Sequence, residues 1–186
     1  IKVLLCLNIF MSKFNKVSKT LFVPMMGRIY SSENFPNILY DETALKLKDT
    51  LPDINKDQSE YTFMASAVRS MNIDRYVKDF LKRNPDGIIV ELGCGLETTY
   101  NRCYDGKTKW YELDLPEVIE YRENLLPPGE NQILIKGSIL NDDWLEYFDL
   151  NNPVLFVAGG VFHYFPHDDV IKTFKILQNF KNAELV

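Results

Sequence analysis

Histidine is nearly absent from this chain. His163 and His167 are the only two in 186 residues, so a metal site built on several imidazoles is excluded. Cysteine is scarce as well. Cys6, Cys94 and Cys103 are odd in number and form no C-x-x-C pair. Neither a disulfide framework nor a thiolate zinc site is expected, and a reducing cytoplasm suits the chain better. Positive charge is not in excess: 21 Lys and Arg stand against 26 Asp and Glu, giving a net charge of −5. That balance leaves no footprint for nucleic acid, and no nucleic-acid partner is expected. No apolar run is long enough to span a bilayer, so no membrane partner is expected either. The apolar segment at residues 1–10 has the length of a signal-peptide core, but no small-residue cleavage site follows it. It reads as an extension ahead of a start at Met11, or as a docked terminal segment. A targeting signal is the alternative.

What is present is ordinary for a globular domain: 46% hydrophobic and 25% charged residues. The length suffices for one core. Residues 11–60 read as irregular, with Pro24, Gly27, Pro36 and Pro52 punctuating short helical pieces, one of them near Thr43 to Leu51. Ser59 to Arg83 is the clearest helix. Phe63, Ala67, Ser70 and Met71, then Ile73, Val77, Phe80 and Leu81, recur at helical spacing. From Gly87 onward strand and helix alternate. Strands are expected at 88–92, 108–113, 132–136 and 154–157, with a fifth beginning near Ala183. Helical segments are expected at 98–104, 117–125, 142–148 and from Asp168 or Asp169 to Phe180, the last with Val170, Phe174, Ile176 and Leu177 inward. This alternation predicts an α/β fold: a mostly parallel sheet with helices on both faces.

The organising stretch is Ile88-Ile89-Val90-Glu91-Leu92-Gly93-Cys94-Gly95, a β-branched strand running into a glycine turn. Gly93 and Gly95 let the backbone turn sharply and approach a ligand. A dinucleotide fingerprint wants a third glycine three residues further on, where Thr98 stands. Glu91 is unusual for a strand end; its structural reading is a partner for turn amides. Cys94 reads as a small side chain in a crowded turn. Asp114 ends the second strand, 21 residues after Gly93. A carboxylate at that spacing is placed to accept hydrogen bonds from ribose hydroxyls. Two residues before Pro116, it also suits a helix cap. Glu112, one strand period earlier, is the second candidate on that face. After strand four, Ala158-Gly159-Gly160-Val161-Phe162-His163-Tyr164-Phe165 puts two glycines, three aromatics and a histidine at the sheet edge. His163 could serve as general base for a hydroxyl substrate, or pair with Asp168 or Asp169. Tyr164 could line a cationic ligand or belong to the core.

Together, 91–98 and Tyr111-Glu112-Leu113-Asp114-Leu115-Pro116-Glu117-Val118-Ile119 resemble the leucine carboxyl methyltransferase family, and within it the branch of O-methyltransferases associated with polyketide biosynthesis. Thr20 to Pro24 with Gly27-Arg28, Ile38 to Ala44, and the helix carrying Arg69, Ser70 and Asp74 are similar to that branch's N-terminal signature. Ser138 to Trp144 and Val157 to Tyr164 fit its later motifs. The resemblance implies a class I methyltransferase (Rossmann-like) fold with a helical N-terminal cap at 11–84. An S-adenosylmethionine-binding core would begin at 85 and stop short, after the start of strand five. It implies methyl transfer to an oxygen, carboxylate or hydroxyl, of a small-molecule acceptor. Arg69 would pair with the cofactor's methionine carboxylate. Glu91, Gly93 and Gly95 would lie against the cofactor, Asp114 would hold the ribose, Ser138 and Ile139 would meet the adenine, and Gly159 would border the site. His163 and Tyr164 would stand on the reacting side. Two positions depart from the family pattern: Ser138-Ile139 replaces an Asp-Leu pair, and Gly159 replaces a Glu. The second change favours a small-molecule substrate. The rival readings are a nicotinamide-dependent oxidoreductase and a cofactor-binding module without turnover.

Overall fold

The computed structural model describes residues 20–52 and 58–186. The segment 1–10, with its extension and targeting readings, lies outside the described residues.

Among the described residues five strands form one sheet: β1 Ile88–Leu92, β2 Trp110–Asp114, β3 Gln132–Lys136, β4 Pro153–Val157 and β5 Asn182–Leu185. Their order is β3-β2-β1-β4-β5 and every pairing is parallel. The order reverses between β1 and β4, which opens a crevice at their carboxyl ends.

Alternate residues of β1 serve opposite faces, as the strand period requires. Ile88, Val90 and Leu92 join Tyr111, Leu113, Val154 and Phe156 on one face. Helix α6 (His167–Leu177) and the 3-10 turn Asp143–Tyr147 cover it through Ile176, Leu177 and Trp144. On the other face, Ile89, Trp110, Leu155 and Val157 pack against α3 (Glu60–Arg83) and α4 (Thr99–Cys103). Helix α5 (Pro116–Leu125) opens on Pro116, where the missing N–H costs nothing.

The α3 helix follows its periodicity. The Ser59 hydroxyl accepts the Thr62 N–H as an N-cap, and Phe63, Ala67, Ser70, Ile73, Val77 and Phe80 are buried. Strand two begins at Trp110 rather than Thr108 and extends to Asp114. In α6, Ile176 and Leu177 are buried, but Phe174 is 37% exposed and packs edge-on against Phe162. Thr173 takes the inward position instead, fully buried, its hydroxyl donating to Asp169 O at 3.0 Å.

The irregular reading of 11–60 is corrected in part. Phe22–Asn34 is a 13-residue helix, α1, and Glu42–Leu47 is a second, α2, followed by a 3-10 turn at Lys48–Thr50. Pro24 does not break α1 because it sits in the first turn, where N–H groups have no helical partner. Gly27 is tolerated for a packing reason. A Cβ there would meet Phe63 O at 2.6 Å, so glycine lets α1 nest against α3. Phe22, Met25, Met26 and Ile29 then join Phe63, Leu96 and Tyr121 in a shared cluster.

Candidate functional site

A cleft of about 820 Å³ opens at the carboxyl ends of β1, β2 and β4. All ten residues singled out from the sequence line it: Arg69, Glu91, Gly93, Gly95, Asp114, Ser138, Ile139, Gly159, His163 and Tyr164.

The glycine turn shapes the floor. Gly93 and Gly95 adopt left-handed φ values of 63° and 49°. A Cβ on Gly93 would stand 2.5 Å from Val161 Cγ2, so the β1 and β4 loops touch only because this residue has no side chain. The turn's amides are already engaged. Gly93 and Cys94 both donate to Leu113 O, at 2.8 and 3.2 Å, and Gly95 donates to Asp114 Oδ2 at 2.8 Å. The helix that follows, α4, is only five residues long.

Asp114 is held from both sides. Oδ2 accepts the Gly95 N–H and Oδ1 accepts the Leu115 N–H, each at 2.8 Å. Burial raises its pKa, and these two amide bonds oppose the rise. Each oxygen keeps a further lone pair for a ligand hydroxyl. The side chain does not cap α5, whose N-cap position is Leu115 with no side-chain bond.

Glu91 partners no turn amide. It is 2% exposed, and its Oε1 accepts the Trp110 indole N–H at 3.1 Å. Burial, then the neighbouring Glu112 and Glu97, push its carboxyl well above the usual range. Glu112 is not a ribose candidate. It is fully buried and bonded to Arg122 and to Gln132 Nε2. Cys94 is buried, and burial drives its thiol pKa up, which makes it inert.

Arg69 projects from α3 over the β4 loop. A Cβ on Gly160 would come within 2.8 Å of its Nη1, so the glycine lets the guanidinium lie against the backbone. Among the described residues Arg69 has no hydrogen-bond or ion-pair partner. Gly159 sits beside it, below Ile73. Beyond β3, Ser138 Oγ accepts the Leu140 N–H at 3.2 Å and keeps its own proton free, while Ile139 is buried in the core. His163 and Tyr164 are exposed on a 3-10 turn, their ring centroids 3.9 Å apart. The Asp168 partner belongs to His167, at 3.6 Å, not to His163.

An ionic network beneath the cleft was not read from the sequence. Arg28 of α1 donates to Leu96 O at 2.7 Å and to Glu97 Oε2 at 2.8 Å. Its Nε lies 3.3 Å from Asp41 Oδ2. Asp41 also caps α2 and accepts from Thr98 Oγ1 at 2.5 Å and Arg102 at 2.7 Å. Arg102 reaches Asp74 of α3 with two bonds, at 2.8 and 2.9 Å. Burial opposes ionisation of Glu97, but Arg28 and Arg102 outweigh it and bring its pKa to about 2. A separate buried pair, Glu112 with Arg122, did carry a signal: Glu112 in Trp-Tyr-Glu-Leu-Asp is a charge at an inward strand position, which demands a buried partner.

The parallel sheet, the reversal between β1 and β4 and the glycine turn facing an acidic β2 end define an α/β domain of the nucleoside-binding type. The chain belongs to the leucine carboxyl methyltransferase family, whose model matches residues 24–178. It is 29% identical over 147 residues to a tetracenomycin polyketide synthesis O-methyltransferase of Streptomyces glaucescens, covering 78% of this chain and 50% of that protein. A putative S-adenosyl-L-methionine-dependent methyltransferase of Mycobacterium avium is 27% identical over 121 residues, 60% of this chain and 38% of that one. The chain thus spans half or less of the length of these curated relatives. Among solved structures, magnesium protoporphyrin IX methyltransferase of Synechocystis PCC 6803, crystallised with S-adenosylmethionine, shares the fold at a TM-score of 0.51. That match is 11% identical and covers 88% of this chain and 74% of that one.

Proposed function

We propose that this chain is an S-adenosylmethionine-dependent methyltransferase acting on an oxygen, carboxylate or hydroxyl, of a small molecule. The observation that carries the reading is the pairing of two unlike ends in one cleft. Arg69 presents a guanidinium with no described partner, and Asp114 presents a carboxylate with lone pairs to spare. An amino-acid carboxylate at one end and a ribose at the other match that pair. The engaged amides of Gly93, Cys94 and Gly95 weigh against a nicotinamide dinucleotide, because its pyrophosphate would find no free N–H groups in the turn.

The residues present fit the cofactor. Arg69 would hold its carboxylate, Asp114 its ribose hydroxyls, and Ser138 with Ile139 its adenine. Gly93 and Gly159 leave room for close approach. Bound S-adenosylmethionine supplies an electrophilic methyl group on a sulfonium. The protein's own task is alignment, which contributes on the order of 7–11 kcal/mol in well-oriented reactions. Tyr164, beside His163 at the mouth, offers a ring face to a cation. A carboxylate acceptor needs no base; a hydroxyl acceptor does, and His163 is the base this reading assigns. The segment 11–84, of which 20–52 and 58–84 are described, would then serve as a cap over the core that begins at 85. No described helix is long and apolar enough to cross a membrane, and the buried free thiols of Cys94 and Cys103 suit a cytoplasmic site of action.

Calorimetric titration with S-adenosylhomocysteine and with NAD tests the reading. Heat with the first and none with the second supports it; the reverse overturns it. Transfer of a labelled methyl group to small acids and phenols separates an enzyme from a binding module without turnover.

A further inference from the structure

The limb of the glycine turn beyond Gly95 is held by arginines. Arg122 donates to Gly95 O at 3.1 Å and to Glu97 O at 2.7 Å, and Arg28 donates to Leu96 O at 2.7 Å. Three consecutive carbonyls are thereby fixed in place. Arg122 comes from α5, the helix directly after β2, and is committed to Glu112. Arg28 comes from α1, sixty-eight positions earlier in the chain. It is completely buried yet lines the cleft. Gly27 makes its position possible by letting α1 close on α3. No other described side chain reaches from α1 into the turn with a hydrogen bond.

We infer that Arg28 is a positioning residue for the cofactor. It acts through the Leu96 carbonyl and the Glu97 carboxylate to set the 95–97 limb beside Asp114. Because Asp114 takes the Gly95 N–H, a shift of this limb moves the carboxylate assigned to the ribose. Helix α1 is then part of the cofactor site and not only its cover. A purely structural Arg28 would act differently: its loss would lower stability but leave the affinity of the folded protein unchanged.

The inference rests on the cofactor reading, and the test keeps the two apart. S-adenosylhomocysteine binding is measured by calorimetry on the wild-type chain, Arg28→Lys, Glu97→Gln and the double variant. The temperature is one at which circular dichroism shows all four folded. Lysine keeps the charge but loses the planar fork that serves Glu97 and Leu96 O from two separate nitrogens. Arg28→Lys and Glu97→Gln should each weaken binding by about tenfold, the scale of one charge-assisted hydrogen bond. The double variant should lose less than the product of the two, because both act on one limb. If the wild type binds and Arg28→Lys binds within twofold of it, the inference falls while the cofactor reading stands. Independent losses in the double variant overturn it as well. If the wild type takes up no S-adenosylhomocysteine, the reading falls and the inference with it.

Discussion

The Asp114 carboxylate accepts the Gly95 amide N–H at 2.8 Å, so the end of β2 and the turn after β1 are fastened to one another along the floor of the cleft. Asp114→Ala should therefore do two things at once. It removes the acceptor assigned to the ribose and leaves two backbone donors, Gly95 and the more exposed Leu115, without their carboxylate, a loss of about 1–3 kcal/mol for the Gly95 donor alone. Asp114→Asn keeps an acceptor for Gly95 but leaves only one oxygen. Calorimetry with S-adenosylhomocysteine should rank wild type above Asn and Asn above Ala; equal affinities would remove Asp114 from the site.

Arg69 lends itself to a test by ligand truncation. Arg69→Met should weaken S-adenosylhomocysteine by more than tenfold, the scale of a lost charge-assisted contact. It should barely change the affinity for 5′-methylthioadenosine, which has the nucleoside but no carboxylate. Equal losses for both ligands would mean that Arg69 supports the fold and not the carboxylate.

Gly93 and Gly106, two of the four positive-φ glycines among the described residues, make a matched pair. Both carry positive φ, but a Cβ on Gly106 meets nothing within 4 Å, whereas one on Gly93 meets Val161 at 2.5 Å. Gly106→Ala should cost about 1 kcal/mol from backbone strain alone. Gly93→Ala should cost roughly 2–4 kcal/mol, because a buried clash adds to the strain. Urea unfolding of the two variants measures the difference directly.

Glu91 gives a pH signature. Its folded pKa lies well above that of the free side chain, chiefly through burial and secondarily through Glu112. The folded protein thus holds a proton there that the unfolded chain has released. Stability falls as pH rises from the ordinary glutamate range toward the raised folded value, and below that range the effect is absent. Glu91→Gln mimics the protonated form and still offers an oxygen to the Trp110 indole. Its melting temperature should exceed wild type at neutral pH, and the gap should close near pH 4. A gap that widens on acidification would show Glu91 to be ionised in the fold.

His163→Ala should lower kcat for hydroxyl acceptors while leaving S-adenosylhomocysteine affinity and turnover of carboxylate acceptors nearly unchanged. A uniform loss across both acceptor classes would assign His163 to binding and not to proton removal.

The sheet was legible because its strands carry strong local signals. Ile88 to Leu92 and Gln132 to Lys136 form strands at the predicted bounds, since each is built on three consecutive aliphatic residues rich in β-branching, Ile88-Ile89-Val90 and Ile133-Leu134-Ile135. The residues around the cleft were legible for another reason: they follow strand ends, and topology alone brings strand ends together. Helix α1 was misread because Pro24 and Gly27 look like breakers unless their positions in the helix are known. One is harmless in the first turn, and the other is needed for contact with a helix that begins 33 residues later. The ionic network was hidden for the same cause. Arg28, Asp41, Asp74, Glu97 and Arg102 come from five separate segments, and each alone reads as a solvated charge. Thr173 takes the inward position expected of Phe174 because its hydroxyl can return to its own helix backbone when buried.

The hydrogen bond from Arg28 to Leu96 also bears on the order in which the protein matures. Strands β1, β2 and β3 can pair through loops of fewer than twenty residues, whereas this bond must close a far longer one. Long-range closures come late, since their entropy is lost before their contacts are gained. A chain that has paired β1, β2 and β3 but not yet docked α1 would display part of the native secondary structure and bind nothing. Ligand uptake in a refolding experiment would then lag the recovery of circular dichroism, and the lag would time the arrival of a single helix.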